Sequence, residues 1–179
     1  GGILDVLDCT FEGNSTNLGR AIYNEQGATV NVLDCSFDSH HSSNNKKGAA
    51  IRNHGNMTIK NSTFSGNQGA RSGGAIYSEG GAMAIELSSF SGNQALFGGA
   101  IYATVSPSTM TIEATTFVGN TAAQHGGAIT QLFSNLEVSG STFKRNIAQA
   151  EYGGAIGVFD SELVVSDNVF VANKDKTGA

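Results

Sequence analysis

GGAIYSEGGAMAIELSSFSGN, residues 73–93, decides how the whole chain is read. It contains a Gly-Gly-Ala-Ile element, then an apolar pair two residues apart (Met83 and Ile85), then Phe90 with Asn93 three residues beyond. A spacing of two puts both apolar side chains on one face of a strand. Paired glycines, β-branched residues and the lack of an i, i+3, i+4, i+7 apolar pattern argue against a helix.

The same elements recur on both sides of this stretch. Phe stands at Phe11, Phe37, Phe64, Phe90, Phe117, Phe143 and Phe170, with gaps that alternate between 26 and 27. Three residues beyond each come Asn14, His40, Asn67, Asn93, Asn120, Asn146 and Asn173, so the amide column is broken only at His40. A glycine column follows at Gly19, Gly48, Gly73, Gly98, Gly126, Gly153 and Gly178, and its first six members continue to Ala-Ile. Apolar pairs precede each Phe, from Leu4/Val6 and Val30/Val32 through to Leu136/Val138 and Leu163/Val165.

One such unit cannot bury its own apolar side; stacking on the next unit does that. The period therefore predicts an all-β, right-handed, single-stranded parallel β-helix (a solenoid). It has three short strands per coil, 26–27 residues per coil and six to seven coils, in one unit over residues 1–179. In that solenoid the Phe column is an interior stack and the Asn column an inward amide ladder at a turn. The Gly column marks positive φ or close backbone approach. The Ile column, Ile22 to Ile156, is expected inside. The chain opens and ends within a repeat, with no capping element, so the segment is expected to belong to a longer array or to stack end to end on a neighbour.

Composition narrows the function classes. The formal net charge of −5 gives no reason to expect nucleic acid as a partner. No run of 18 apolar residues is present to serve as a transmembrane segment. Two Cys and four His, dispersed, form no zinc pattern, and no cofactor is expected.

The alternation of GGAI (complete at 73–76, 98–101, 126–129 and 153–156) with FxxN resembles the polymorphic outer membrane proteins of chlamydiae. Similar repeats also resemble those of secreted pectate-lyase-like proteins, including algal ones. The first resemblance implies the β-helical passenger of an autotransporter, exposed outside the cell and used in adhesion. The partner it implies is a host receptor protein, a neighbouring subunit or a glycan. The leading expectation is a non-catalytic extracellular or cell-surface segment acting as adhesin or scaffold. The alternatives are a subunit of a larger extracellular or membrane-associated assembly and a fragment of a carbohydrate-active protein.

Several residues carry candidate chemistry. Tyr23, Arg52, Tyr77 and Tyr102 share the slot after Ile and are expected on the outer surface, as an adhesive or sugar-binding strip or as a stiffening ladder. Asp8 over Asp34, and Glu12 over Asp38, are weak candidates for a Ca²⁺ site; the competing reading is a solvated acidic turn. Cys9 and Cys35 occupy one slot in adjacent coils, where a buried free thiol pair is preferred over a disulfide. Lys60, Glu86 and Glu113 form a column read as a surface charge ladder rather than a glycosidase carboxylate pair. No acidic-basic cluster of the kind a polysaccharide lyase needs is visible in the linear sequence. His40, His41, His54 and His125 read as connector residues. The longest connectors, 41–47 and 103–109, are where specificity is expected to sit.

Overall fold

The computed structural model describes residues 1–16, 21–42, 47–69, 71–104, 109–150 and 152–176. Gly19 and Gly178 of the glycine column lie outside these residues, as do 43–46 and 105–108 in the two longest connectors. Among the described residues no helix is long and apolar enough to cross a membrane.

The chain winds as a parallel solenoid. In the coil starting at Met83 the strands are Met83–Glu86, Ser89–Ser91, Gln94–Phe97 and Ile101–Thr104, and each pairs in parallel with its equivalents one coil away. Among the described residues four strand files result, two seven-stranded and two six-stranded sheets, here called sheets 1 to 4 in the order of the strands just given. The expected three strands per coil are thus corrected to four. The additional file, sheet 3, begins just after the Asn column and includes strands as short as Gln68–Gly69 and Ile147–Ala148. Two residues are too few to display the alternation by which a strand is recognised in sequence.

Register is strict across the apolar files. Phe64 sits opposite Phe37 on one side and Phe90 on the other, and Ile76 opposite Ile51 and Ile101. Six consecutive Phe–Phe ring pairs stack with centroids 4.6–4.9 Å apart, within 9° of parallel. Phe37 through Phe143 are fully buried, and Ile51, Ile76, Ile101 and Ile129 lie in the same core. Each buried Phe contributes about 1.5–3 kcal/mol of transfer free energy.

Two polar ladders run beside this core. In the first, Asn93 Nδ2 donates to Phe64 O in one neighbouring coil (3.0 Å) and to Asn120 Oδ1 in the other (2.9 Å). Its Oδ1 accepts both the backbone N–H and the Nδ2–H of Asn67. Asn67, Asn120 and Asn146 repeat the pattern, and Asn173 closes it by accepting from Asn146. The second ladder was not anticipated. Ser62, Ser88, Thr115 and Ser141 each accept a backbone N–H from the preceding coil and donate to the carbonyl two residues back. Cys35 is the sulfur member of this file: it accepts Cys9 N–H at 3.4 Å and donates to Leu33 O at 3.1 Å. Both cysteines are free thiols, and burial pushes the Cys35 thiol up.

His40 is corrected from a connector residue to a ladder residue. It is fully buried in the Asn slot, its Nδ1 accepting Asn14 N–H at 3.1 Å and its backbone N–H donating to Asn67 Oδ1 at 3.1 Å. Nε2 is left buried with no partner, where an Asn would present a second donor to the carbonyl of the preceding coil. Asn14, expected to be buried, is exposed, because its ladder contact runs to one side only.

Three outcomes follow for equilibrium urea unfolding. Asn93→Ala removes an amide with four bonds and should cost about 2–3 kcal/mol. Cys35→Ser keeps both bonds of its slot and should shift stability by less than about 1 kcal/mol, whereas Cys35→Val strands Cys9 N–H and should cost about 1–2 kcal/mol. Burial holds the His40 imidazole below its usual range, against the pull of the Asp38 carboxylate. A depressed folded-state value leaves stability flat above pH 6.5 and lowers it as pH falls from there toward that value, since only the unfolded chain takes up the proton. His40→Asn should stabilise the fold and flatten this limb; an unchanged acid limb would show that His40 does not cause it.

Candidate functional site: an aromatic and cationic groove on sheet 4

The outer face of sheet 4 is built by alternation after the Ile column. Ile76 and Ser78 point inward, while Tyr77 and Glu79 point outward. The outward file reads Tyr23, Arg52, Tyr77, Tyr102, Thr130 and Gly157 in paired register, so the proposed strip is brought together on one face. A second outward file reads His54, Glu79, Thr104, Leu132 and Phe159.

A wall rises on the other side. Gly73 and Gly126 have φ of 67° and 62°, and a Cβ on either would lie 2.0 Å from the carbonyl oxygen of Ile76 or Ile129. Only glycine allows this turn. It follows a file of residues, Lys47, Ser72, Phe97, His125 and Tyr152, tied coil to coil by bonds such as Gly98 N–H to His125 O and Gly126 N–H to Tyr152 O.

Between these files lies a recess of about 470 Å³ lined by Lys47, Arg71, Phe97, Tyr102, His125, Thr130 and Phe159, among others. Its floor is set by side-chain size. Tyr77 stacks on Tyr102 at 5.6 Å, and then the floor drops to Thr130 and Gly157. Over Gly157 the Phe159 ring lies down, close enough that a Cβ there would sit 3.3 Å from it, and Phe159 meets His125 at 5.2 Å. Phe97 bridges Tyr102 (6.3 Å) and His125 (5.6 Å), and His125 continues to Tyr152 at 5.7 Å. A continuous run of rings therefore follows the solenoid axis.

The strip is not an open surface throughout. Tyr77, expected outside, is only 1% exposed because Lys47 lies across it, with Nζ 4.5 Å from the ring centroid and 2.7 Å from the hydroxyl. The phenol donates to Glu79 Oε2 at 2.8 Å, Arg52 approaches the same oxygen at 3.8 Å, and the Arg52 guanidinium stands 5.6 Å from the Tyr77 ring. Burial and the Glu79 carboxylate drive the Tyr77 phenol well above its usual range, so it stays neutral. Burial opposes ionisation of Glu79, but the Tyr77 hydrogen bond and the nearby Lys47, His54 and Arg52 charges outweigh it and hold the carboxyl low. Burial likewise raises Tyr102, partly offset by the Arg71 charge. Tyr23 is exposed and pairs with His54 at 5.6 Å.

A small charged group forms here, one carboxylate (Glu79) among Lys47 and Arg52. Lys47 and Arg52 come from one coil and Glu79 from the next, so they meet only when the coils are stacked. Lys47, Arg71, Phe97, His125 and Phe159 were missed as site residues. The signal for most of them was present, since the position before Gly48, Gly73, Gly98, Gly126 and Gly153 reads Lys47, Ser72, Phe97, His125 and Tyr152. Alignment on Phe and Asn hides it, because the Asn-to-Gly spacing is 6 for Asn67/Gly73, 5 for Asn93/Gly98 and 7 for Asn146/Gly153. His125, expected in a connector, ends the strand Thr121–His125.

The other candidates lie elsewhere. Asp8, Asp34 and Asn61 stack at a turn with φ of 51°, 55° and 48°, where Asn61 Nδ2 donates to Asp34. Glu12 pairs in register with Asp38, whose carboxylate accepts from Ser65 and Ser39; these hydrogen bonds hold Asp38 below its usual range. Among the described residues no group of three or more His, Cys, Asp or Glu is placed to hold a metal ion. Lys60 Nζ meets Glu86 Oε2 at 3.1 Å in the sheet 1 charge file.

A family model described as right handed beta helix region matches residues 2–179. Comparison with curated proteins and with solved structures returns no match. With nearly its whole length matched and its coils stacked in parallel register, this chain belongs to the right handed beta helix family.

Proposed function

We propose that this chain is a non-catalytic recognition scaffold of the extracellular or cell-surface kind, an adhesin segment whose contact surface is the sheet 4 groove. The single observation that carries this reading is the continuous run of Tyr102, Phe97, His125 and Tyr152 rings along that face, backed by the buried Tyr77 and bordered by cations. Elsewhere the outward files are mostly short polar or charged residues, such as Thr63, Ser89 and Thr116 on sheet 2. A file of half-buried aromatics supplies large contact area at low entropic cost, as recognition surfaces do. The GGAI/FxxN resemblance to chlamydial surface passengers supports the same role. The non-catalytic reading rests on Glu79 being engaged by Tyr77 and Arg52, and Glu86 by Lys60, which leaves neither carboxyl poised as a general acid.

Attachment of the purified, immobilised chain to cultured host cells tests this. The double substitution Phe97→Ala/Tyr102→Ala should weaken attachment about thirtyfold, the scale of losing a central aromatic anchor. Lys144→Ala, on sheet 2, should leave attachment unchanged. Attachment that survives the double substitution would remove the groove from the function.

A further inference from the structure

We infer that the corner joining the coil of Phe11 to the coil of Phe37 is an acid-opened latch: protonation of His40 at Nδ1 releases residues 11–16, while the coils beyond stay closed. Three ladders cross this junction, and each is at its weakest there. In the amide file the coil of Phe64 is tied to the next by three bonds. Asn67 N–H and Nδ2–H both donate to Asn93 Oδ1, and Asn93 Nδ2 donates back to Phe64 O. Between the first two coils a single bond of this file remains, Asn14 N–H to His40 Nδ1 at 3.1 Å. The other imidazole nitrogen, Nε2, makes none. In the hydroxyl file the acceptor at this junction is the Cys35 sulfur, where later coils present Ser62, Ser88, Thr115 and Ser141 oxygens. Sulfur is the weaker acceptor. In the backbone file beside the Asn column, His41 N–H reaches Asn14 O at 3.3 Å. The same bond is 2.8–2.9 Å at Gln68, Gln94, Thr121, Ile147 and Lys174.

The imidazole is the trigger because its one ladder bond uses the nitrogen that takes up the proton. A neutral ring that accepts Asn14 N–H at Nδ1 carries its own hydrogen on Nε2. A second proton goes to Nδ1. The ladder bond then becomes two N–H groups facing each other, and a charge lies in a fully buried slot beside the Phe37 ring, 6.3 Å away. Both costs disappear when residues 11–16 swing away and water reaches the ring. The surrounding groups offer little compensation. Asp38 attracts the charge, but its carboxylate is already engaged by the Ser39 and Ser65 hydroxyls. Glu12 of the first coil lies opposite Asp38 and is exposed, as is His41, the next residue in the chain. The following coil presents the neutral Asn67 and Gln68. Burial outweighs Asp38 and holds the closed-state imidazole below its usual 6.5. The open corner therefore binds the proton more readily than the closed one, and opening is favoured as pH falls from 6.5. Opening uncovers the strand edges Ser36–Asp38 and His41–Ser42, with the Phe37 ring behind them.

Amide hydrogen exchange of the intact chain, read residue by residue beside His40→Asn at the same pH, tests this. Comparison at one pH cancels the intrinsic exchange rate, and Asp38, present in both proteins, cancels with it. The variant keeps an acceptor for Asn14 N–H and lacks the titrating group. At the Asn14 and His41 amides the ratio of wild-type to variant exchange rate should be flat above pH 6.5. Below that it should rise about tenfold per pH unit, the slope of one proton taken up on opening, until the closed-state value is reached. Thr121 and Ile147 make the same backbone bond farther along the solenoid. Their amides should stay at least about tenfold better protected than those of Asn14 and His41, because they open only with larger parts of the fold. A ratio at Asn14 and His41 that ignores pH would overturn the latch. Equal protection at all four amides would overturn it as well, since exchange would then run through unfolding of the whole solenoid. None of these outcomes depends on the sheet 4 groove.

Discussion

The asparagine amide is the constraint on which the structure depends. Asn93 shows how the ladder links three coils: it accepts twice from the coil before and donates once in each direction. In a buried turn, each of these groups would be costly if left without a partner. No other short side chain offers a two-donor, two-acceptor fork at this reach. A coil that slipped by one residue would lose the whole set and turn its Phe outward. The ladder therefore fixes rotational register, and the Phe rings 4.6–4.9 Å apart supply the driving force that the register directs. His40 shows the limit of substitution: it satisfies the backbone on both sides but leaves Nε2 stranded.

Once register is fixed, local preference is overruled at the turns. The corner between sheets 1 and 2 takes positive φ in successive coils. Asp8, Asp34 and Asn61 tolerate this conformation, but Leu87 and Ala114 adopt it too, with φ of 49° and 47°. A left-handed conformation costs an L-residue about 1–2 kcal/mol. Stacking offsets that cost, because the Ser88 and Thr115 hydroxyls beside those residues must reach the backbone of the neighbouring coil. The acidic residues read as metal candidates at Asp8 and Asp34 thus have a conformational reason to be there.

The same logic explains what could be read from the sequence. Interior files were legible because burial demands one residue type at one spacing; Phe and Asn announce themselves, and with them the solenoid, its period and its parallel register. The sheet 3 file was not, since strands such as Gln68–Gly69 are held by their neighbours and carry no pattern of their own. The site was half legible. Tyr77 and Tyr102 share an evident slot, but whether a slot faces solvent depends on what the neighbouring file places over it. Lys47 covers Tyr77 from a coil away, after a connector whose length varies, and no alignment anchored on Phe reveals that.

Strand alternation separates the two tasks of this chain. Along Ile76, Tyr77, Ser78 and Glu79, every second residue answers to the core and the others answer only to one another. Because parallel coils pair identically whatever their outward side chains, the file Arg52, Tyr77, Tyr102, Thr130, Gly157 can run from large to small without disturbing the Ile column behind it. A recess on such a scaffold needs no loop to enclose it. It arises wherever an outward file loses bulk between two walls that keep theirs, and its length is set by how many coils share that sequence of sizes. In this chain the walls are also tied by backbone hydrogen bonds at Gly98 and Gly126, which fix the backbone positions from which the rings bordering the recess project. A backbone tied in this way has little freedom to lose on binding, which is where an aromatic file on paired strands gains its advantage over a loop.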